Sequence, residues 1–331
     1  MNFSFKQIHS LWISLLFIFV IAACSQSQSS KNAQNPSKTP NSQASAESTP
    51  ENSPATKPEN TTVSPMMELT QATTGWNKNL MVDNVAYDLY IPPKYGKSAI
   101  ANLSLPCILV LPGWDYPRTQ WVEDTPLVQY ADQYGYALIL PEMSVTVYES
   151  SYYPETNMKW NQIPGGQFIK ERFIPTIQQQ HNLLKPGQHN TLLGFSTGGR
   201  GVALIALENP SLFVAGASLA GDFSQENMPN DNLMTAVYGP MAEFPERWNG
   251  RDNPQARVAE WKMPLYLAHG TDDSVVPTSQ SRLFYEALVS HHGENLVVEY
   301  WAIAGAGHDR QFLTEQLPNV FEFFQERSIS Y

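Results

Sequence analysis

Cysteine is almost missing from this chain: Cys24 and Cys107 are the only two among 331 residues. A framework of disulfides is therefore excluded, and so is a zinc site built from paired cysteines. Histidine is sparse too, with seven residues and no H-E-x-x-H spacing, and His291-His292 has no carboxylate at ligand distance in the sequence. No metal is expected. There is no G-x-x-x-x-G-K-S/T loop and no dinucleotide fingerprint, so no cofactor is expected either. Positive charge is short: 20 Lys and Arg stand against 31 Asp and Glu, for a net charge of −11. That balance argues against nucleic acid as a partner. No internal repeat is visible, and no apolar run reaches the roughly 20 residues of a spanning helix.

The apolar run that does occur, LWISLLFIFVIAA at 11–23, lies behind Lys6 and ends in small residues before Cys24. Its length and flanks fit the core of a secretory signal peptide. Ile21-Ala22-Ala23-Cys24 resembles the bacterial lipoprotein cleavage box, in which the cysteine becomes a lipidated N-terminus. The resemblance implies export and a membrane anchor through Cys24, and Ser25 after the cysteine implies the outer membrane. The expected location is the cell envelope, outer membrane or cell surface.

Between Cys24 and Pro65 the composition shifts. Thirty of these 42 residues are Ser, Pro, Asn, Gln or Thr, and Val63 is the one large aliphatic side chain. Too little apolar area is available to offset ordering entropy, so 24–65 is expected to be a disordered tether reaching roughly 35 Å as a coil. Its three Lys and three Glu cancel. Residues 66–331 form the remaining expected unit, a single domain carrying a net −12 once the +1 of Lys6 is set aside. Within it, Cys107 lies in the apolar run PCILVLPG and is read as a buried, inert thiol.

The domain alternates short apolar runs with helical patterns. Strands are expected at 85–91, 107–111, 136–140, 191–195, 214–220, 264–270 and 297–303, and helices near 119–133, 168–182, 197–208, 278–290 and 311–327. Apolar strands without strict alternation, separated by helices, predict a doubly wound, mostly parallel α/β sheet of about eight strands. Ligands bind such sheets at the carboxyl ends of the strands. The stretch 222–262, rich in Asn, Pro, Met and Trp, has poor periodicity and is read as an excursion beside the site.

Gly194-Phe195-Ser196-Thr197-Gly198 fits G-x-S-x-G. The motif alone is common, but here it follows the apolar strand TLLGF and opens a helix, the setting a nucleophile elbow needs. Glycines at 194 and 198 leave room for a strained serine at the apex, and the helix N-terminus favours developing negative charge. A serine hydroxyl needs a base. In this arrangement acid and histidine follow the serine in the chain. His308 lies in the glycine-rich Ala304-Gly305-Ala306-Gly307-His308-Asp309 loop after the last apolar strand, where an imidazole can swing over the elbow. His269 is read as a structural residue at a strand end, and His291 and His292 as cations at a helix C-terminus. For the acid, Asp272 and Asp273 compete after the penultimate strand, and the G-x-x-D spacing from Gly270 selects Asp273. The oxyanion donors expected are the backbone N–H groups of Thr197 and of Trp114, the latter in the loop Pro112-Gly113-Trp114. Trp114, Tyr116, Tyr152, Tyr153 and Trp160 are candidates for lining an apolar pocket.

Beyond these motifs, LVLPGWDYPRTQW (109–121), GFSTGGRGVALIALENPSLFVAGASLAG (194–221), HGTDDSVVP (269–277) and GAGHD (305–309) resemble the esterase D-like branch of the α/β-hydrolases. That branch includes S-formylglutathione hydrolases, feruloyl and acetylxylan esterases and mycolyltransferases. The resemblance implies the α/β-hydrolase fold, ester hydrolysis with Ser196, His308 and Asp273 as triad, and a small-molecule or polysaccharide-linked ester as substrate. Two departures stand out: the oxyanion loop is short, and Arg310 occupies a place where relatives often carry Trp. HGTDDSVVP also resembles prolyl-oligopeptidase-like enzymes, which keeps a peptidase open. A non-catalytic surface-binding protein on the same scaffold is the third reading.

Overall fold

The structure is a computed structural model that describes residues 72–96, 105–143 and 145–328. The expected signal peptide, Cys24 and the tether lie outside the described residues. The strands are β1 (Gly75–Val82), β2 (Val85–Ile91), β3 (Cys107–Leu111), β4 (Ala137–Pro141), β5 (Asn190–Phe195), β6 (Ala215–Leu219), β7 (Leu265–Gly270) and β8 (Val298–Ile303). They form one eight-stranded sheet in the order β1-β2-β4-β3-β5-β6-β7-β8. β2 runs antiparallel to both neighbours, and the six strands from β4 to β8 are mutually parallel.

The parallel strands are apolar throughout because both faces are covered. On β3, Cys107, Leu109 and Leu111 join one core with Phe168, Phe173, Ile177, Val202 and Phe284. Ile108 and Val110 join the other, with Leu127, Ala131, Leu317, Phe321 and Phe324. The period of two along each strand thus splits one apolar run between two layers of helix. Those layers are built from α1 (Gln120–Asp124), α2 (Leu127–Tyr134), α3 (Gly165–Phe168), α4 (Ile174–His181), α5 (Thr197–Glu208), α6 (Asn232–Tyr238), α7 (Pro245–Trp248), α8 (Ser279–His292) and α9 (Arg310–Ser328). A π turn over Ile169–Phe173 joins α3 to α4.

Three expectations need adjustment. The helix expected near 119–133 is two helices, because the Thr125 hydroxyl donates to Trp121 O and Pro126 restarts the chain as the cap of α2. β1 was not anticipated: GWNKNLMV is a polar edge strand with an irregular register between Asn77 and Leu80. The excursion at 222–262 holds α6 and α7 around a small core of its own, in which Val147, Met234, Val237, Tyr238 and Trp248 are buried.

Register brings one set of strand ends level. Leu111 pairs with Gly194, Phe195 with Leu219, and Gly270 with Ile303. The loops at Pro112, Ser196, Ala220, Thr271 and Ala304 therefore leave the same edge of the sheet, and Trp114, Ser196, Thr197, Asp273 and His308 lie on them or at their ends.

Candidate active site

Ser196 sits between β5 and α5 with φ 57° and ψ −125°, a conformation that side chains other than glycine adopt only under constraint. The constraint is visible. Ser196 N–H donates to Leu219 O at 2.9 Å, which pins the apex to the end of β6. A Cβ at 194 would overlap the carbonyl of Gly198, and one at 198 would overlap that of Leu111. Both glycines of the motif are thus required by backbone contact.

The loop after β3 lies against this turn: a Cβ on Gly113 would stand 3.2 Å from both Phe195 O and Ser196 Cβ. Tyr148 holds the loop by donating its hydroxyl to Pro112 O at 2.9 Å. Tyr116 stacks on Phe195 with ring centroids 6.3 Å apart. Trp114 therefore begins one residue from the elbow, and its side chain packs against the small core of the excursion. Thr197 is the first residue of α5, so its N–H has no acceptor within the helix.

Asp273 and His308 meet as a pair, with Asp273 Oδ2 2.7 Å from His308 Nδ1. The other oxygen, Oδ1, accepts the N–H groups of Val275 and Val276, each at 2.8 Å. Burial alone would push the Asp273 carboxyl up. The hydrogen bonds from His269, His308 and Val276 N–H outweigh burial and hold it well below the usual carboxylate range. Its contribution to stability is therefore present at neutral pH and lost only in strong acid, as protonation of the carboxylate breaks these bonds. The His308 ring packs over Phe195 with centroids 4.4 Å apart, next to the serine. Phe195 directly precedes Ser196, so this packing brings the His308 loop to the strand end that carries the serine.

Asp272 is exposed, and its side chain bonds only locally, accepting from Thr271 Oγ1 at 3.1 Å. His291 and His292 end α8, and His292 binds Val258 O at 2.7 Å, away from this edge. The aromatic candidates divide. Trp114 and Tyr153 border the excursion core. Trp160 packs on Phe168 in the main core at 5.2 Å, and Tyr152 is tied to Ile163 O, so both belong to the scaffold. Among the described residues no three His, Cys, Asp or Glu side chains gather as a metal set.

The residues that the motifs did not announce are Arg200, Asp222 and Asp252. Arg200, on α5 one turn beyond Ser196, is fully buried. Its guanidinium donates to Val147 O at 3.2 Å, Asp222 Oδ2 at 2.9 Å, Gln225 Oε1 at 3.1 Å, Tyr238 Oη at 3.2 Å and Asp252 O. Asp252 in turn accepts Ser150 N–H. One side chain thus fastens the helix behind the serine to the chain at Val147 and to the segment from Asp222 to Asp252. The available signal was a lone cation inside TGGRGVALIAL.

Comparison with known proteins follows the same outline. Acetylxylan esterase A of Emericella nidulans is 24% identical over 202 residues, covering 58% of this chain. The match spans 62% of that relative's length. The S-formylglutathione hydrolase of Agrobacterium tumefaciens superposes with a TM-score of 0.61 at 17% identity, covering 76% of this chain and 94% of that one. Fluorophosphonate-binding serine hydrolase F of Staphylococcus aureus gives 0.59 at 17% identity, with coverages of 76% and 99%. At such identities the superpositions establish a shared α/β-hydrolase fold. The family description "Putative esterase" matches residues 79–319, well over half of the sequence, and the chain belongs to that family.

Proposed function

We propose that the chain is a serine esterase that cleaves carboxylic esters through an acyl-enzyme. The observation that carries this reading is the 2.7 Å Asp273–His308 pair, whose imidazole packs on Phe195, the residue before a serine held at positive φ. Ser196 Oγ attacks the ester carbonyl carbon while His308 Nε2 takes its proton. The oxyanion that forms lies toward the N–H groups of Thr197 and Trp114, where hydrogen bonds strengthen as charge develops. Collapse breaks the bond to the alcohol, which leaves with the proton from His308 and the acyl group on Ser196. Water then attacks with His308 as base, the carboxylic acid departs and the serine is restored. Asp273 stays ionised throughout, orients the ring and stabilises the imidazolium.

Family membership and the likeness to an acetylxylan esterase favour small-molecule or polysaccharide-linked esters as substrates. A fluorophosphonate probe tests the nucleophile directly. The folded chain should be labelled at Ser196 and Ser196→Ala should not. Equal labelling of both would overturn the assignment, and no labelling of either would favour a binding protein. Amide analogues cleaved as fast as esters would favour the peptidase reading.

We further propose that the domain is held to the cell envelope by lipid on Cys24, on the strength of the Ile21-Ala22-Ala23-Cys24 sequence after an apolar run. More than one acyl chain is needed for stable attachment. With Cys24→Ser, radiolabelled palmitate should no longer enter the protein and the chain should leave the membrane fraction. Retention of label would disprove the anchor.

A further inference from the structure

His269 ends β7 with its side chain fully buried, four residues before Asp273. Its Nε2 lies 3.2 Å from Asp273 Oδ2 and 3.0 Å from Val276 O, and its Nδ1 lies 2.7 Å from Ser281 Oγ at the start of α8. Both oxygens facing Nε2 are acceptors, so that nitrogen must carry a proton. The Ser281 hydroxyl can then donate to Nδ1, which fixes the neutral tautomer and leaves no atom of the ring unsatisfied.

Asp273 thus faces four donors: two backbone N–H groups and the His308 ring bonded to it, and the His269 Nε2–H, which bonds Val276 O and is shared with Oδ2 at 3.2 Å. The backbone pair fixes one oxygen. The second is what His308 uses, and His269 is the group that fixes it from behind. Without that proton a turn of the carboxylate about its last torsion is opposed only by the two N–H groups on Oδ1 and by the ring it is meant to orient. That ring sits on a glycine-rich loop with φ +74° at Gly305.

We propose that His269 is a positioning residue for the acid–base pair, holding Asp273 Oδ2 in place through Nε2–H with Ser281 setting its tautomer. The inference rests on the reading of Ser196, His308 and Asp273 as the reacting site, and it adds a second relay behind the carboxylate: Ser281 to His269 to Asp273.

The donor is separable from the volume. His269→Gln keeps an N–H near the position of Nε2, whereas His269→Leu keeps the bulk without a donor. With p-nitrophenyl acetate and the full chain, His269→Leu should lower kcat by about ten- to a hundred-fold, the range for a lost hydrogen bond to a charged group, with KM nearly unchanged. His269→Gln should recover kcat to within a few-fold of the parent. A folded leucine variant with parental kcat, or glutamine and leucine variants equally impaired, would overturn the proposal. Should both fail to fold, Ser281→Ala leaves His269 in place and removes only its tautomer partner. It should then lower kcat several-fold at constant KM, and an unchanged kcat would overturn the proposal. Ser196→Ala in the same assay separates the layers. Activity there would undo the site itself, while an inactive Ser196→Ala beside a fully active His269→Leu would undo the relay alone.

Discussion

Alanine at position 308 should cut kcat for p-nitrophenyl acetate by about 10⁴- to 10⁶-fold, with a far smaller effect on the unfolding midpoint. The size follows from the role. Without an imidazole the serine must lose its proton to water and the departing alkoxide must leave unprotonated, so both half-reactions suffer. What remains is binding and the oxyanion donors. The melt should move only modestly, because removing the ring costs its packing on Phe195 and one hydrogen bond to Asp273 and leaves the helix layers in place. The check is steady-state kinetics beside a thermal melt. Free imidazole, diffusing into the vacated space, should restore part of the rate. A loss of less than tenfold would remove His308 as base.

Arg200→Met is the largest expected effect on folding. A long apolar side chain fills similar space, but Asp222 is left buried with no counter-charge, and the carbonyls of Val147 and Asp252, with Gln225 and Tyr238, lose their donor. Breaking a buried pair from one side costs about 3–5 kcal/mol, and in a domain of this length that lowers the melting temperature by roughly 6–20 °C. Denaturant unfolding measures it. Adding Asp222→Asn should return part of the loss, because the stranded charge goes with its partner. A loss under 1 kcal/mol would mean that water reaches the guanidinium and that the network does little.

Much of the sheet was legible because its strands are buried on both faces. VAYDLYI and CILVL are strands over the expected residues, and the nucleophile helix begins and ends where TGGRGVALIALE does. The same reasoning could not see β1, whose residues face water on an edge and lack the apolar signal. Nor could it resolve 222–262, where order comes from a polar tie to Arg200 and a small Met and Trp core rather than from amphipathic periodicity. The site was legible to the extent that chain order and glycine loops constrain it. Asp273 was separable from Asp272 by spacing, and His308 by its loop. His269 was read as a structural strand-end residue, since nothing local reveals that a histidine four residues upstream turns back onto the same carboxylate. Arg200 escaped for the same reason: its five acceptors are spread over more than a hundred residues of chain.

The loops that carry acid and base are stitched to each other. Thr271 N–H donates to Ile303 O at 2.9 Å, Asp272 N–H to Ala306 O at 3.0 Å, and Gly305 N–H to Thr271 Oγ1 at 2.8 Å. Gly270 is pressed so closely on Ala306 that no side chain fits there. The proposed acid and base are therefore tied to each other on adjacent strands, apart from the segment 222–262. Insertions or exchanges between Asp222 and Lys262 could reshape which esters are admitted without detuning the chemistry, provided the acceptors that clasp Arg200 are kept.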